Sequence, residues 1–325
     1  MYGATPSKIP TLGEVMKMEK SKIKSTLSAL TYLLILISVL LLSSCFSSYI
    51  SEYVKIGIKL CFGSVIGAVF PFMILTDLII SMPSFDSIGI GRRIFEKIFN
   101  INGYAIIAFI IGIICGFPLG VKCARDLYES GVITKEECQR LIGFSNNTGP
   151  AFIISGVGYA MRGSVRDGVI LYLSMVLSAV LVGALFGIKR KASNIKGDIQ
   201  RRAFDLTTSV RSAAEGTLNV CAFVTIFTVF SGFVSLLIKN TTVRLIIISF
   251  LEVGNACSNI SSLSSASIHS LPLCAFAISF SGISVHMQAK SVLSGCELSM
   301  KKYYKMKLLQ GVIAFFICYS ITLFK

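Results

Sequence analysis

The sequence predicts an all-α protein: a polytopic transmembrane helical bundle with two inverted repeats that contain broken helices or re-entrant hairpins. Three observations carry this. Of 325 residues, 54% are hydrophobic and only 14% charged, whereas soluble domains carry about 25% charged residues. Mean hydropathy is +0.76. Apolar runs approaching the roughly 20 residues of a helical span recur along the chain, and glycine, proline and asparagine interrupt them at corresponding places in the two halves.

The charge balance fits a membrane solvent. Thirty-one Lys and Arg against 16 Asp and Glu give +15, which in a soluble protein would suggest a nucleic-acid partner. Here the basic residues gather in short segments between apolar runs, as retained cytoplasmic loops do, and no recognition module accompanies them. The partner expected is the lipid bilayer, with no nucleic acid. The ten cysteines are scattered singly and there are only two histidines, so no metal site and no cofactor is expected. No Ser-His-Asp set, paired carboxylates or phosphate loop emerges, and the chain is not expected to be an enzyme.

Residues 1–26 form a Lys-rich tail expected on the cytoplasmic side, and 27–50 a first transmembrane helix. Leu42, Ser43, Ser44 and Cys45 also resemble a lipoprotein signal, but the apolar run continues beyond the cysteine, which favours an uncleaved helix. The first repeat covers 51–188. Its run at 56–81 carries Lys59 and Pro71, and Arg92, Arg93 and Lys97 mark a cytoplasmic loop. The run at 104–115 ends in Gly116, Phe117, Pro118, Leu119 and Gly120, where the helix stops or breaks. An amphipathic stretch follows, with Thr134 and Glu137 at capping-box spacing. Gly143-Phe144-Ser145-Asn146-Asn147-Thr148-Gly149-Pro150 is expected to dip into the membrane and return, ahead of a long run at 169–188.

The segment 189–206 is a basic cytoplasmic linker, and 207–325 is the second repeat. That repeat has runs at 217–238 and 245–251, a break at Glu252 to Asn255, a short Gly-broken hairpin at 272–284, and a last run at 308–324. Placing Gly149 on Gly282 sets 146–153 against 279–286 and brings 112–122 near 250–260. The expectation is seven spans and two hairpins, the second repeat entering from the opposite side.

Uncharged polar groups at bilayer depth cost several kcal/mol each when unsatisfied, on the order set by amide transfer, and persist mainly where they line a polar cavity. Asn146, Asn147, Thr148 and Gly149 are therefore substrate-binding candidates, with Pro150 suited to the first turn of a new helix whose N-terminus attracts anions. The competing explanation is a kink buried against its neighbours. Ser281, Gly282, Ser284 and Gln288 put polar groups at the matching place in the other half. Glu252 and Asn255 are candidates for ion or proton coupling; alternatively Glu252 pairs with Lys122 across the two halves. His286 is a proton-shuttle candidate, although a lone histidine is more often a satisfied hydrogen-bonding group. Gly116, Pro118 and Pro150 mark the helix breaks.

At Gly116 to Lys122, Gly131-Val132-Ile133-Thr134 and Phe144 to Pro150 the chain resembles the YlbJ-type sporulation integral membrane proteins of the nucleoside-recognition (Gate) group. The likeness runs from about Ile56 to the C-terminus, and Asn-Asn-Thr-Gly-Pro is its most specific part. It implies Gate-like repeats in a bacterial cell membrane or forespore membrane, and movement of dipicolinate. A dianionic acid would suit helix N-termini and a nearby Lys122. The function expected is transport of a small-molecule substrate, dipicolinate-like or nucleoside-like, through a midplane site; the alternative is a structural or assembly protein of the sporulation membrane. Homo-oligomers or sporulation membrane partners are the remaining partner expectations.

Overall fold

Apolar residues spaced around all sides of long segments favour helices that are covered by lipid or by one another, and every regular element among the described residues is helical. The structure, a computed structural model, describes residues 30–34, 36–38, 40–41, 44–81, 89–193, 205–262 and 269–323. It divides into a small unit, Met1–Glu52, and a large one, Tyr53–Lys325. In the small unit the described residues from 30 onward are almost all helical and mostly exposed, Leu33, Leu36 and Leu40 among them.

The large unit begins within α1 (Ser47–Leu60) and runs through a π-helical turn (Cys61–Val65) into α2 (Ile66–Ser81), which contains Pro71. Next come α3 (Gly89–Phe99), a 3-10 turn (Gly103–Ala105) and α4 (Ile106–Ile114), then α5 (Leu119–Glu129) and α6 (Lys135–Ser145). A π-helical segment (Ala151–Met161) leads to α7 (Val165–Gly187) and α8 (Leu206–Leu237). The remainder is α9 (Thr241–Leu251), α10 (Val253–Ser262), α11 (Ser270–Phe280), α12 (Gly282–Val292) and α13 (Lys301–Leu323).

Polar side chains start these helices where the sequence supplies them. Asp205 accepts the Thr207 and Thr208 amides ahead of α8, Ser164 caps α7, and Asn240 caps α9. The expected capping box is present at α6: Thr134 accepts from the Glu137 amide and Glu137 accepts from the Thr134 amide.

Among the described residues, four helices are long and apolar enough to cross a membrane: Val165–Gly187, Leu206–Leu237, Ser270–Val292 and Lys301–Leu323. A fifth is counted if Gly89–Phe99 and Gly103–Ile114, bent by 100°, make one span. This is fewer than the seven expected crossings. Part of the 27–50 run lies outside the described residues, the 56–81 run is divided by its π-helical turn, and the 245–251 run ends after 11 residues at Glu252. Length fails where the backbone is interrupted, not where hydrophobicity runs out.

The turn-backs also fall elsewhere than expected. Chain reversal occurs at Gly116 to Pro118: α4 and α5 pack along each other, so closely that a Cβ on Gly120 would lie 2.9 Å from the Gly112 Cα. Likewise α9 and α10 pack together around Glu252. At Ser281 and Gly282 the helix is instead interrupted and continues, so that Ser270–Val292 has the length of a single span. In each half a turned-back pair thus precedes an interrupted helix.

The polar end of this arrangement is fastened by Glu137. Its carboxylate accepts the Asn102 amide at 2.8 Å, the Ser193 amide at 2.9 Å and the Ser193 hydroxyl at 2.7 Å, besides Thr134. Burial opposes its charge, but these donors outweigh that and hold its pKa below the usual value. A lowered carboxylate contributes stability that is complete above its unfolded pKa and is lost as pH falls through the folded one. Glu137→Gln should therefore lower stability in detergent by about 2 kcal/mol near neutral pH. The deficit relative to the parent should shrink as the solution is acidified, which thermal unfolding across pH measures.

Candidate functional site

Two interrupted helices each meet the tip of a turned-back pair, and small residues make both meetings close. Gly116, at φ 87°, lies so near the interruption at 146–150, the first break, that an added Cβ would be 2.8 Å from the Gly149 amide nitrogen. Cβ atoms on Gly112 and Gly120 would run into the Ser145 carbonyl oxygen. In the other half, Gly282 at φ 71° approaches the Leu251 carbonyl, 3.0 Å from where its Cβ would stand, and the Glu252 Cα at 3.2 Å. The positive φ at these two glycines and the lack of a side chain serve one end, letting backbone cross backbone.

Asn146, Asn147 and Thr148 are buried at the first crossing. The Asn146 side-chain amide donates to the Tyr303 hydroxyl at 2.7 Å, Asn147 donates to the Phe144 carbonyl at 2.7 Å, and Thr148 donates to the Ile278 carbonyl at 3.1 Å. The last bond joins the first break directly to α11. Pro150, at φ −61° and ψ −34°, stands ahead of the π-helical segment as expected.

The residues that complete this cluster come from α13, and the sequence analysis missed them. Lys307, fully buried, donates to the Asn146 backbone carbonyl and to the Gln310 side-chain oxygen, each at 2.8 Å. Gln310 in turn donates to the Asn147 side-chain oxygen at 2.8 Å. No ion pair among the described residues includes Lys307. The available signal was spacing: Tyr303, Lys307, Gln310 and Ala314 lie on one helical face, and all four are buried. Starting the last run at 308 left Tyr303 and Lys307 just outside it.

The second crossing is built differently. Ser281 donates to the Ile278 carbonyl at 3.0 Å, and Gln288 to the Ser284 hydroxyl at 3.4 Å, leaving the Gln288 side-chain oxygen unpartnered. His286 bonds the Phe280 carbonyl at 2.9 Å and stacks edge-on against Phe280 and Tyr303, the satisfied arrangement weighed against a proton shuttle. An apolar cavity of about 400 Å³ lies beside it, bordered by Phe250, Phe280, Tyr304 and Leu308. That cavity does not reach Asn146 to Thr148, whose side chains bond Tyr303 and Gln310 of α13, the Phe144 carbonyl and the Ile278 carbonyl of α11, with the Asn146 side-chain oxygen left unpartnered.

The Lys122–Glu252 pairing, the alternative to ion or proton coupling at Glu252, does not form. Lys122 is ion-paired with Asp77 and lies 3.6 Å from Asp126, because α5 presents it to α2. Glu252 instead caps α10, its buried carboxylate accepting the Gly254 amide at 3.0 Å and the Asn255 amide at 2.6 Å. The Asn255 side chain reaches Thr228 at 3.5 Å. A carboxylate at a helix N-terminus satisfies freed amides and is favoured by the helix dipole. Among the described residues no group of His, Cys, Asp and Glu is arranged to hold a metal.

Two substitutions check the packing. Gly112→Ala should destabilise the protein by roughly 3 kcal/mol or more, since the intruded atom is backbone and cannot swing aside. Tyr303→Phe, which removes the acceptor of the Asn146 amide, should cost about 1 kcal/mol. Thermal unfolding in detergent reads both.

No family model matches the chain, and no solved structure matches it. Among curated proteins it is similar to the sporulation integral membrane protein YlbJ of Bacillus subtilis (strain 168): 24% identical over a 306-residue alignment that covers 81% of this chain and 75% of the relative. Together with the four helices of spanning length and composition among the described residues, this similarity makes the chain an integral membrane protein resembling a sporulation membrane protein.

Proposed function

We propose that the chain is a YlbJ-type sporulation protein of the nucleoside-recognition (Gate) group. In this reading it carries a small polar or anionic molecule, dipicolinate-like or nucleoside-like, across a bacterial cell or forespore membrane, with its N-terminal tail in the cytoplasm. The two crossings are the cores of two inverted repeats, and the midplane site lies between them. One observation supports this above others: Asn146, Asn147, Lys307 and Gln310 form a buried amide-and-ammonium network inside a bundle of apolar, span-length helices. Polar groups are costly at that depth, and in membrane proteins they concentrate where something polar is bound or passed. Interrupted helices meeting at mid-bilayer are the usual construction of secondary-transport sites.

A second function is favoured by a different feature of the same network. Its members mostly satisfy one another, and the cavity lies elsewhere, as suits a non-transporting structural or assembly protein of the sporulation membrane. Uptake into vesicles separates the two. Purified protein reconstituted into liposomes should accumulate dipicolinate or a labelled nucleoside, and an Asn146→Ala/Asn147→Ala variant should do so at least tenfold more slowly. No uptake of either compound by the parent protein would exclude the carrier in favour of the assembly role.

A further inference from the structure

Lys307 poses an electrostatic problem that the hydrogen bonds around it only partly answer. An ammonium removed from water is costly unless a counter-charge or several good acceptors replace its hydration. Here the acceptors are a backbone carbonyl and a side-chain amide, both neutral, and no ion pair among the described residues includes this lysine. The Asn146 carbonyl is at the C-terminal end of α6, where the helix dipole helps to hold a cation. That assistance amounts to a fraction of a charge. The Gln310 amide is the exchangeable partner: its oxygen faces Lys307 and its nitrogen faces the Asn147 oxygen, so it bridges the cation to the break without neutralising it.

We propose that Lys307 is the charge-recognition residue of the carrier, and that a carboxylate of the transported anion takes the place of the Gln310 oxygen as its partner. This assignment rests on the carrier function proposed above and adds the group that distinguishes an anion from a neutral molecule of the same shape. The apolar cavity is lined on α13 by Tyr304 and Leu308, each one position from Tyr303 and Lys307, so an anion reaching Lys307 from there has to displace the side chains between them.

The test compares dipicolinate with its neutral diamide, using the full chain in liposomes for uptake and in detergent for thermal stabilisation. Lys307→Met and Gln310→Glu should each raise the KM for dipicolinate at least tenfold and abolish the preference for diacid over diamide. The first removes the charge; the second supplies it with an internal carboxylate. A purely structural lysine would lower the unfolding temperature without changing that preference. Should Lys307→Met not fold, the nearly isosteric Gln310→Glu decides alone. Folded variants that keep the parent's KM and preference overturn the assignment while leaving the carrier standing. Lys307-dependent stabilisation by dipicolinate without uptake overturns the carrier and retains the anion site; neither stabilisation nor uptake overturns both.

Discussion

An interrupted helix inside a bilayer frees amides and carbonyls that no water is present to receive, and each one left unsatisfied costs several kcal/mol on the scale of amide transfer to hydrocarbon. The fold of the large unit follows from meeting that demand twice. In the first half, the turned-back pair of α4 and α5 brings Gly112, Gly116 and Gly120 against Ser145 to Gly149, close enough that any side chain there would collide with backbone. In the second, Gly282 lies against the Leu251 and Glu252 backbone, and the Glu252 carboxylate takes up the first amides of α10. Small residues are what allow such close approach between membrane helices.

The last helix then joins the halves. It packs on α6 and α7 on one side and on α11 on the other, and its buried face carries the tyrosine, lysine and glutamine that bond Asn146 and Asn147. Thr148 adds a direct bond to α11. The cluster therefore holds the two crossings in register and at the same time concentrates polar chemistry at one depth. A structural role and a binding role make the same demand on these residues, which is why binding and uptake, and not packing, separate the carrier from the assembly protein.

Much of this was legible in the sequence, for reasons of local chemistry. Glycine, proline and asparagine in apolar surroundings located the interruptions at Gly116 to Pro118, at 146–150 and at Gly282, but not the π-helical turn at Cys61–Val65, and Thr134 with Glu137 located the start of α6. Placing Gly149 on Gly282 put a re-entrant hairpin at each, whereas the chain turns back at Gly116 to Pro118 and around Glu252. Which break reverses the chain was not legible, since Gly116 and Gly149 are equally able to turn and only packing on α5 decides between them. The partners of Lys122 and Glu252 were also misplaced. Asp77 sits inside a run read as a span, and a carboxylate capping its own helix two and three residues ahead is easily overlooked when a cation is sought at long range. Lys307 escaped because it begins an apolar run, where a lysine ordinarily reaches water by snorkelling; its burial depends on Asn146, 161 positions away.

Everything above depends on the first break being sealed within the protein at bilayer depth. Hydrogen exchange followed by mass spectrometry, on the chain in lipid nanodiscs, tests that directly by comparing the peptide spanning 143–150 with the exposed turn at 294–300. Buried backbone closed off by α4, α5 and α13 exchanges only through opening of the bundle, so the 143–150 amides should remain protected long after the turn has exchanged fully. Exchange of both peptides on the same timescale would place the Asn-Asn-Thr-Gly-Pro segment in open water and contradict the account.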